Sequence, residues 1–83
     1  MEPKILFVDD DRDLLEMLCS IFRRAGYADL VTASSGPEAL QVWREQQPAL
    51  IVLDVMMPGL DGIRTTLKVR ETSSIPIIIL SAK

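Results

Sequence analysis

The sequence predicts an α/β fold in which a parallel β-sheet carries helices on both faces. Apolar, strand-like runs alternate with amphipathic, helix-like runs, and this alternation is typical of βαβ units. Most of the strand-like runs are apolar without interruption, as parallel strands buried on both faces are. A length of 83 residues predicts one small domain.

The predicted strands cover residues 4–8, 30–33, 50–53 and 75–80, and the predicted helices cover 12–25, 37–46 and 63–71. The first helix begins either at an Asp11 cap or at a capping box of Asp13 with Glu16, and Gly26 is placed to end it in a left-handed conformation. The second begins with Ser35 as its cap and buries one apolar side. The third is expected to bury Ile63 and Leu67.

Composition excludes several classes of protein. Hydrophobic residues make up 48% of the chain, enough for a core, and a net charge of −3 without a basic patch argues against direct nucleic-acid binding. No apolar run is long enough to cross a membrane. A chain with no histidine and a single cysteine almost excludes a zinc site. The free thiol and the absence of a signal peptide predict a cytoplasmic protein.

Carboxylates follow two of the predicted strands. Asp9, Asp10 and Asp11 end the first apolar run, and Asp54 ends the third. Ligands of open parallel sheets bind beyond the carboxyl ends of strands, so these side chains converge if the two strands are neighbours. Clustered carboxylates repel unless a cation or proton lies between them. Oxygen ligands suit Mg²⁺, and one carboxylate is a candidate nucleophile that would form an acyl phosphate.

The segment after Asp54 is predicted to be a tight, shaped loop, because residues 55–62 contain a proline and two glycines. Such a loop is able to present a backbone carbonyl to a metal. Ser81 follows the fourth strand, where its hydroxyl would reach a phosphoryl oxygen.

These motifs together resemble one family. The segments ILFVDD (5–10), LDVMMPGLDG (53–62) and IPIIILSA (75–82) resemble the receiver domain of two-component response regulators, in that family's order and spacing. The resemblance implies a flavodoxin-like, doubly wound parallel sheet with strand order 2-1-3-4.

The resemblance also implies roles for individual residues. Asp54 would be the phosphoacceptor, and Asp9 and Asp10 would hold Mg²⁺ together with Asp54 and the backbone carbonyl of Met56. Ser81 would be the hydroxyl that moves toward the phosphoryl group. The implied partners are a sensor histidine kinase or phosphotransfer protein and an output domain in the parent chain. The implied activity is that of a switch domain and not of an enzyme, although an intact receiver is able to catalyse its own phosphorylation.

The sequence departs from the family after the fourth strand. Receivers have five strands and five helices, so residues 1–83 are expected to be the N-terminal part of a receiver, without the last strand and the last two helices. The family's phosphoryl-contacting lysine ends the fifth strand, and Lys83 is not its equivalent. An apolar fourth strand with a bare edge predicts self-association.

Two other functions fit parts of the sequence. A haloacid-dehalogenase-type phosphotransferase would use Asp9 as nucleophile and Asp11 as acid and base, but it leaves the loop after Asp54 unexplained. The chain would otherwise be a self-associating fragment without phosphoryl chemistry.

Overall fold

The computed structural model describes residues 3–54 and 62–80, and these ranges contain four strands and three helices. The strands are β1 (Ile5–Val8), β2 (Leu30–Ala33), β3 (Leu50–Asp54) and β4 (Ile77–Leu80). The helices are α1 (Arg12–Arg24), α2 (Gly36–Gln46) and α3 (Gly62–Arg70). The elements agree with the predicted ones to within a residue, except that β4 begins after Pro76, which has no N–H to donate to a ladder.

The sheet of described strands is parallel throughout, with the order β2-β1-β3-β4. Val8 at the end of β1 lies opposite Ala33 of β2 on one side and Leu53 of β3 on the other. After β1 the chain forms β2 on one side of it, and then crosses over to form β3 on the other side of β1. This reversal of strand order opens a crevice beyond the carboxyl ends of β1 and β3. The predicted fold class and strand order are confirmed.

Helices cover the two faces of the sheet unequally. On one face, α1 packs Leu15 and Cys19 against Ile5, Phe7 and Val52. The rings of Phe7 and Phe22 meet edge to face, with centroids 4.9 Å apart. On the other face, α2 and α3 cover a larger cluster, whose buried members are Leu6, Val8, Ala33, Ala39, Leu40, Ile51, Leu53 and Val69. β1 is buried on both faces, as its uninterrupted apolar sequence predicts.

The two ends of α1 follow from local sequence. Asp11 is the N-cap, and its side chain accepts hydrogen bonds from the N–H groups of Asp13 and Leu14. This favours the first of the two predicted caps. Beyond the C-terminus, Gly26 has a φ of 104°, and the Tyr27 N–H donates to the Phe22 carbonyl at 3.0 Å. The predicted left-handed ending at Gly26 is confirmed, and a left-handed glycine at this position is typical of helix ends.

Helix α2 has a serine cap reinforced by a glutamate. The Glu38 N–H donates to Ser35 Oγ at 3.2 Å, while Glu38 Oε1 accepts from both the N–H and the hydroxyl of Ser34. The glutamate thus reaches one residue further back than in the usual capping box. These bonds fix the turn that joins β2 to α2 at the carboxyl edge of the sheet.

The prediction for α3 is wrong in its orientation. Ile63 and Leu67 are 59% and 62% exposed, whereas Gly62, Thr65 and Val69 are buried. Gly62, Thr65 and Val69 share the buried side of α3, where Val69 joins the same cluster as Ala39 and Leu40 of α2. The side that carries Ile63 and Leu67 is left exposed. The apolar pattern alone did not distinguish the two faces.

Strand β4 is the least covered strand of the described sheet. Ile78, Ile79 and Leu80 are 50%, 49% and 37% exposed, although β4 pairs with β3 along its length. Both faces of β4 therefore present apolar surface. Within the described ranges, none of the helices combines the length and the apolar character that crossing a bilayer requires.

Candidate metal centre

Strand register brings the predicted carboxylates together. Val8 and Leu53 are paired across β1 and β3, so the residues that follow them, Asp9 and Asp54, leave the sheet side by side. The Asp9 N–H still donates to the Ala33 carbonyl at 3.1 Å, which fixes the start of the turn into α1. Asp54 is the last residue of β3 and is paired with Leu80 of β4. Asp54 therefore lies in the crevice where the strand order reverses.

One carboxylate oxygen from each of Asp9, Asp10 and Asp54 lies within 4.8 Å of the other two. Oxygens bound to one octahedral Mg²⁺ ion at about 2.1 Å are about 3.0 Å apart when they are adjacent and about 4.2 Å apart when they are opposite. The three carboxylates would therefore have to move closer together to bind such an ion directly, or hold it partly through a bridging water. An all-oxygen donor set of carboxylates is the chemistry that Mg²⁺ prefers, so the residues present fit this ion.

The three carboxylates differ in exposure. Asp9 is 5% exposed, Asp54 is half-buried and Asp10 is exposed. Burial raises the pKa of the Asp9 carboxyl above its ordinary value, and the negative charges of Asp54 and Asp10 raise it further. A hydrogen bond from the Asp11 N–H to Asp9 Oδ1, 2.9 Å long, lowers this pKa and offsets part of the rise. A divalent cation would relieve the remaining repulsion.

Asp11 does not belong to the cluster found in the described part of the chain. Its Oδ1 accepts from the N–H groups of Asp13 and Leu14 at 3.0 and 3.2 Å, so this oxygen is engaged in capping α1. The main chain of Asp11 nevertheless supports the cluster, because its N–H donates a hydrogen bond to the Asp9 carboxylate. This supporting bond was not anticipated, although an aspartate often accepts a bond from the N–H two residues later.

Two predicted site residues lie outside the described residues. Met56 falls within residues 55–61 and Ser81 within residues 81–83. Their roles stay predictions. Gly62, which the sequence assigns to the shaped loop, is the first residue of α3, and its carbonyl accepts a 2.8 Å hydrogen bond from Thr66 Oγ1.

The chain is similar in sequence to known regulators. A family model described as response regulator receiver domain matches residues 5–83. The probable transcriptional regulator ycf27 of Pyropia yezoensis is 47% identical over 81 residues, covering 98% of this chain and 33% of that protein. The DNA-binding response regulator MtrA of Mycolicibacterium paratuberculosis is 42% identical over 83 residues, covering 100% of this chain and 36% of that protein.

The chain is also similar to solved structures. The chemotaxis response regulator CheY4 of Vibrio cholerae superposes with a TM-score of 0.93 at 31% identity, covering 100% of this chain and 71% of that one. The chain spans about a third of the length of the curated relatives it matches, at 33% and 36%.

Proposed function

Because the chain belongs to the response regulator receiver domain family, we propose that Asp54 accepts a phosphoryl group from a sensor histidine kinase or a phosphotransfer protein. The observation that carries the proposal is the convergence of the Asp9, Asp10 and Asp54 oxygens to within 4.8 Å at the strand-order reversal. In this proposal the same three residues hold Mg²⁺, the Met56 carbonyl completes the ligand set and the Ser81 hydroxyl meets the phosphoryl group. The domain then acts as a switch and not as an enzyme.

Asp54 is a better acceptor than Asp9 on the described geometry. Asp9 is almost fully buried, and its Oδ1 is occupied by the Asp11 N–H. Asp54 is half-buried in the crevice, where a donor has access to it. The family match over residues 5–83 and the engagement of Asp11 as a helix cap both disfavour the dehalogenase-type reaction at Asp9.

The proposed transfer breaks the phosphorus–nitrogen bond of a phosphohistidine. A carboxylate oxygen of Asp54 attacks phosphorus, the bonding electrons remain on the imidazole nitrogen, and an acyl phosphate forms on Asp54. A bound Mg²⁺ supplies charge neutralisation for the phosphoryl oxygens. Asp9 and Asp10 orient the site and hold the negative charge that attracts the cation.

A labelling experiment tests the assignment. The chain is incubated with acetyl phosphate and Mg²⁺, and intact mass and peptide mapping locate the added phosphoryl group. We expect addition at Asp54, its loss in Asp54→Asn and no change in Asp13→Asn, which removes an exposed carboxylate from α1. Asp9→Asn should slow labelling without moving it. Labelling of Asp9, or none in a wild-type chain that binds Mg²⁺, would contradict the proposal.

We propose further that the parent protein carries an output domain. The relatives named as a transcriptional regulator and as a DNA-binding response regulator are about three times as long as the matched region, which supports an output domain that binds DNA. The chain itself has a net charge of −3 and is not proposed to bind nucleic acid. The free, buried thiol of Cys19 supports a reducing, cytoplasmic location.

Self-association through β4 is a second proposal. The half-exposed Ile78, Ile79 and Leu80 support it, because a strand of this composition at an edge favours pairing with another chain. Sedimentation velocity over a range of micromolar concentrations should give a sedimentation coefficient that rises with concentration. A coefficient that stays at the monomer value would count against this proposal and leave the phosphoacceptor proposal unaffected.

A further inference from the structure

A groove lies between α1 and the outer edge of β2. Its volume is about 670 Å³, within the usual range for ligand sites. Leu15 and Cys19 contribute the wall on the helix side, Thr32 lies on the strand side, and Arg12 and Arg23 lie toward opposite ends. None of these residues belongs to the carboxylate cluster.

The outer edge of β2, beside this groove, carries hydrogen-bonding groups that point away from β1. The carbonyls of Asp29 and Ala33 accept from Ile5 and Asp9 at 3.0 and 3.1 Å, so the odd-numbered residues of this segment face β1. Successive peptide groups of a strand point in opposite directions, which directs the N–H and C=O groups of Leu30 and Thr32 away from β1. β2 is an edge strand of the described sheet.

An extended peptide matches this combination of a strand edge and a helical wall. Strand addition satisfies outward N–H and C=O groups with main-chain bonds, and pockets for alternate side chains give specificity. The four residues of β2 offer about 13 Å of edge at about 3.3 Å per residue. Side chains on the α1 side of an added strand would meet Leu15 and Cys19, which are both 6% exposed and apolar.

Charge distinguishes the two ends of the groove. The N–H and hydroxyl of Ser34 lower the pKa of the Glu38 carboxyl most, and the nearby charge of Arg12 lowers it further, so Arg12 and Glu38 partly offset each other at this end. At the other end, Arg23 lies near the thiol of Cys19, whose pKa burial raises and Arg23 partly lowers. Glu16 lies between the two arginines along the helix. The Arg23 end therefore favours an acidic group on the ligand.

We propose that this groove binds an extended peptide of a partner protein by strand addition to β2. The peptide places apolar side chains against Leu15 and Cys19 and an acidic side chain beside Arg23. The site is separate from the carboxylate cluster, so its occupation does not depend on phosphoryl transfer.

The first experiment uses a synthetic probe. The probe is a capped hexapeptide of alternating valine and threonine that ends in aspartate, and its control is the same peptide with alternate amides N-methylated. We expect saturable NMR shifts at the amides of Leu30 and Thr32, and slower alkylation of Cys19, the single cysteine of the chain. The methylated peptide should produce neither effect, because it cannot form the edge hydrogen bonds. Equal binding of both peptides, or no saturable shift up to about 1 mM, would overturn the proposal.

Two variants sharpen the test. Thr32→Pro removes an outward N–H while leaving the bonds to β1, and proline is tolerated on such an edge, so binding should be lost with the fold intact by circular dichroism. Arg23→Glu should reverse the preference between probes that end in aspartate and in lysine, by about threefold in each direction. An unchanged preference in Arg23→Glu refutes the assignment of the acidic end even if Thr32→Pro fails to fold.

Discussion

Neutralising one carboxylate of the cluster should stabilise the metal-free protein. The oxygens of Asp9, Asp10 and Asp54 lie within 4.8 Å of one another. Two unit charges at this distance repel by about 0.9 kcal/mol in bulk water and by about 3.5 kcal/mol at an effective dielectric constant of about 20. Asp54 is half-buried, and the nearby N-terminus of α1 compensates part of the repulsion. We therefore expect Asp54→Asn to add about 1–2 kcal/mol to the free energy of unfolding.

Thermal unfolding at neutral pH in the presence of a chelator measures this effect. A gain of about 1 kcal/mol corresponds to a rise of at least about 4 °C in Tm for a domain of this size. Asp10→Asn should show a smaller rise, because Asp10 is exposed and its charge is better screened. The control is Asp13→Asn, which removes an exposed charge from the first turn of α1 and should not raise Tm.

Mg²⁺ should stabilise the wild type more than the variants that lack a cluster carboxylate, and so reverse the order of their stabilities. At a Mg²⁺ concentration ten times the Kd, binding adds about 1.4 kcal/mol to the stability of the wild type, whereas a variant that has lost a ligand gains less. The response to Mg²⁺ should therefore fall in Asp9→Ala, Asp10→Ala and Asp54→Ala. The shared site would be refuted if both asparagine variants had a lower Tm than the wild type without metal and all three alanine variants responded to Mg²⁺ as strongly as the wild type.

Three further predictions concern other parts of the fold. Hydrogen bonds from the N–H and hydroxyl of Ser34 lower the pKa of Glu38 below its ordinary value of 4.5, so its stabilising contribution is present above that pH and is lost as the pH falls through the lowered pKa. Urea titrations should show Glu38→Gln as less stable than wild type at neutral pH, with a difference that shrinks in acid; a pH-independent difference would contradict this. Gly26→Ala should lower the free energy of unfolding by about 1–2 kcal/mol through backbone strain at φ 104°. An added Cβ meets nothing within 4 Å, so a steric clash does not contribute, and an unchanged urea midpoint would exclude the strain. Ile78→Lys should weaken self-association in sedimentation, whereas Leu67→Lys, at a more exposed position on α3, should not; equal effects would exclude a specific role for β4.

Most of the carboxylate cluster was predictable from local sequence. Apolar runs predicted β1 and β3, and their terminal aspartates predicted a metal site at the carboxyl edge. These aspartates lie close together only if β1 and β3 are neighbours, and the pairing of Val8 with Leu53 confirms that they are. The sequence did not predict that the Asp11 N–H would hold Asp9, since this bond depends on the turn into α1.

The sequence by itself determined the order of the elements, the Gly26 ending of α1, the Ser35 cap of α2 and the residues that end the central strands, because these features depend on neighbouring residues. It left two possible caps for the start of α1, and the structure selected Asp11. Only the tertiary structure decided which side of α3 is buried, because burial depends on which elements pack against a helix and not on its apolar pattern alone. Gly62, Thr65 and Val69 are buried, whereas the pattern predicted Ile63 and Leu67. The groove between α1 and β2 is likewise a product of packing. Its walls come from segments separated along the chain, and no local pattern specifies the space between two elements.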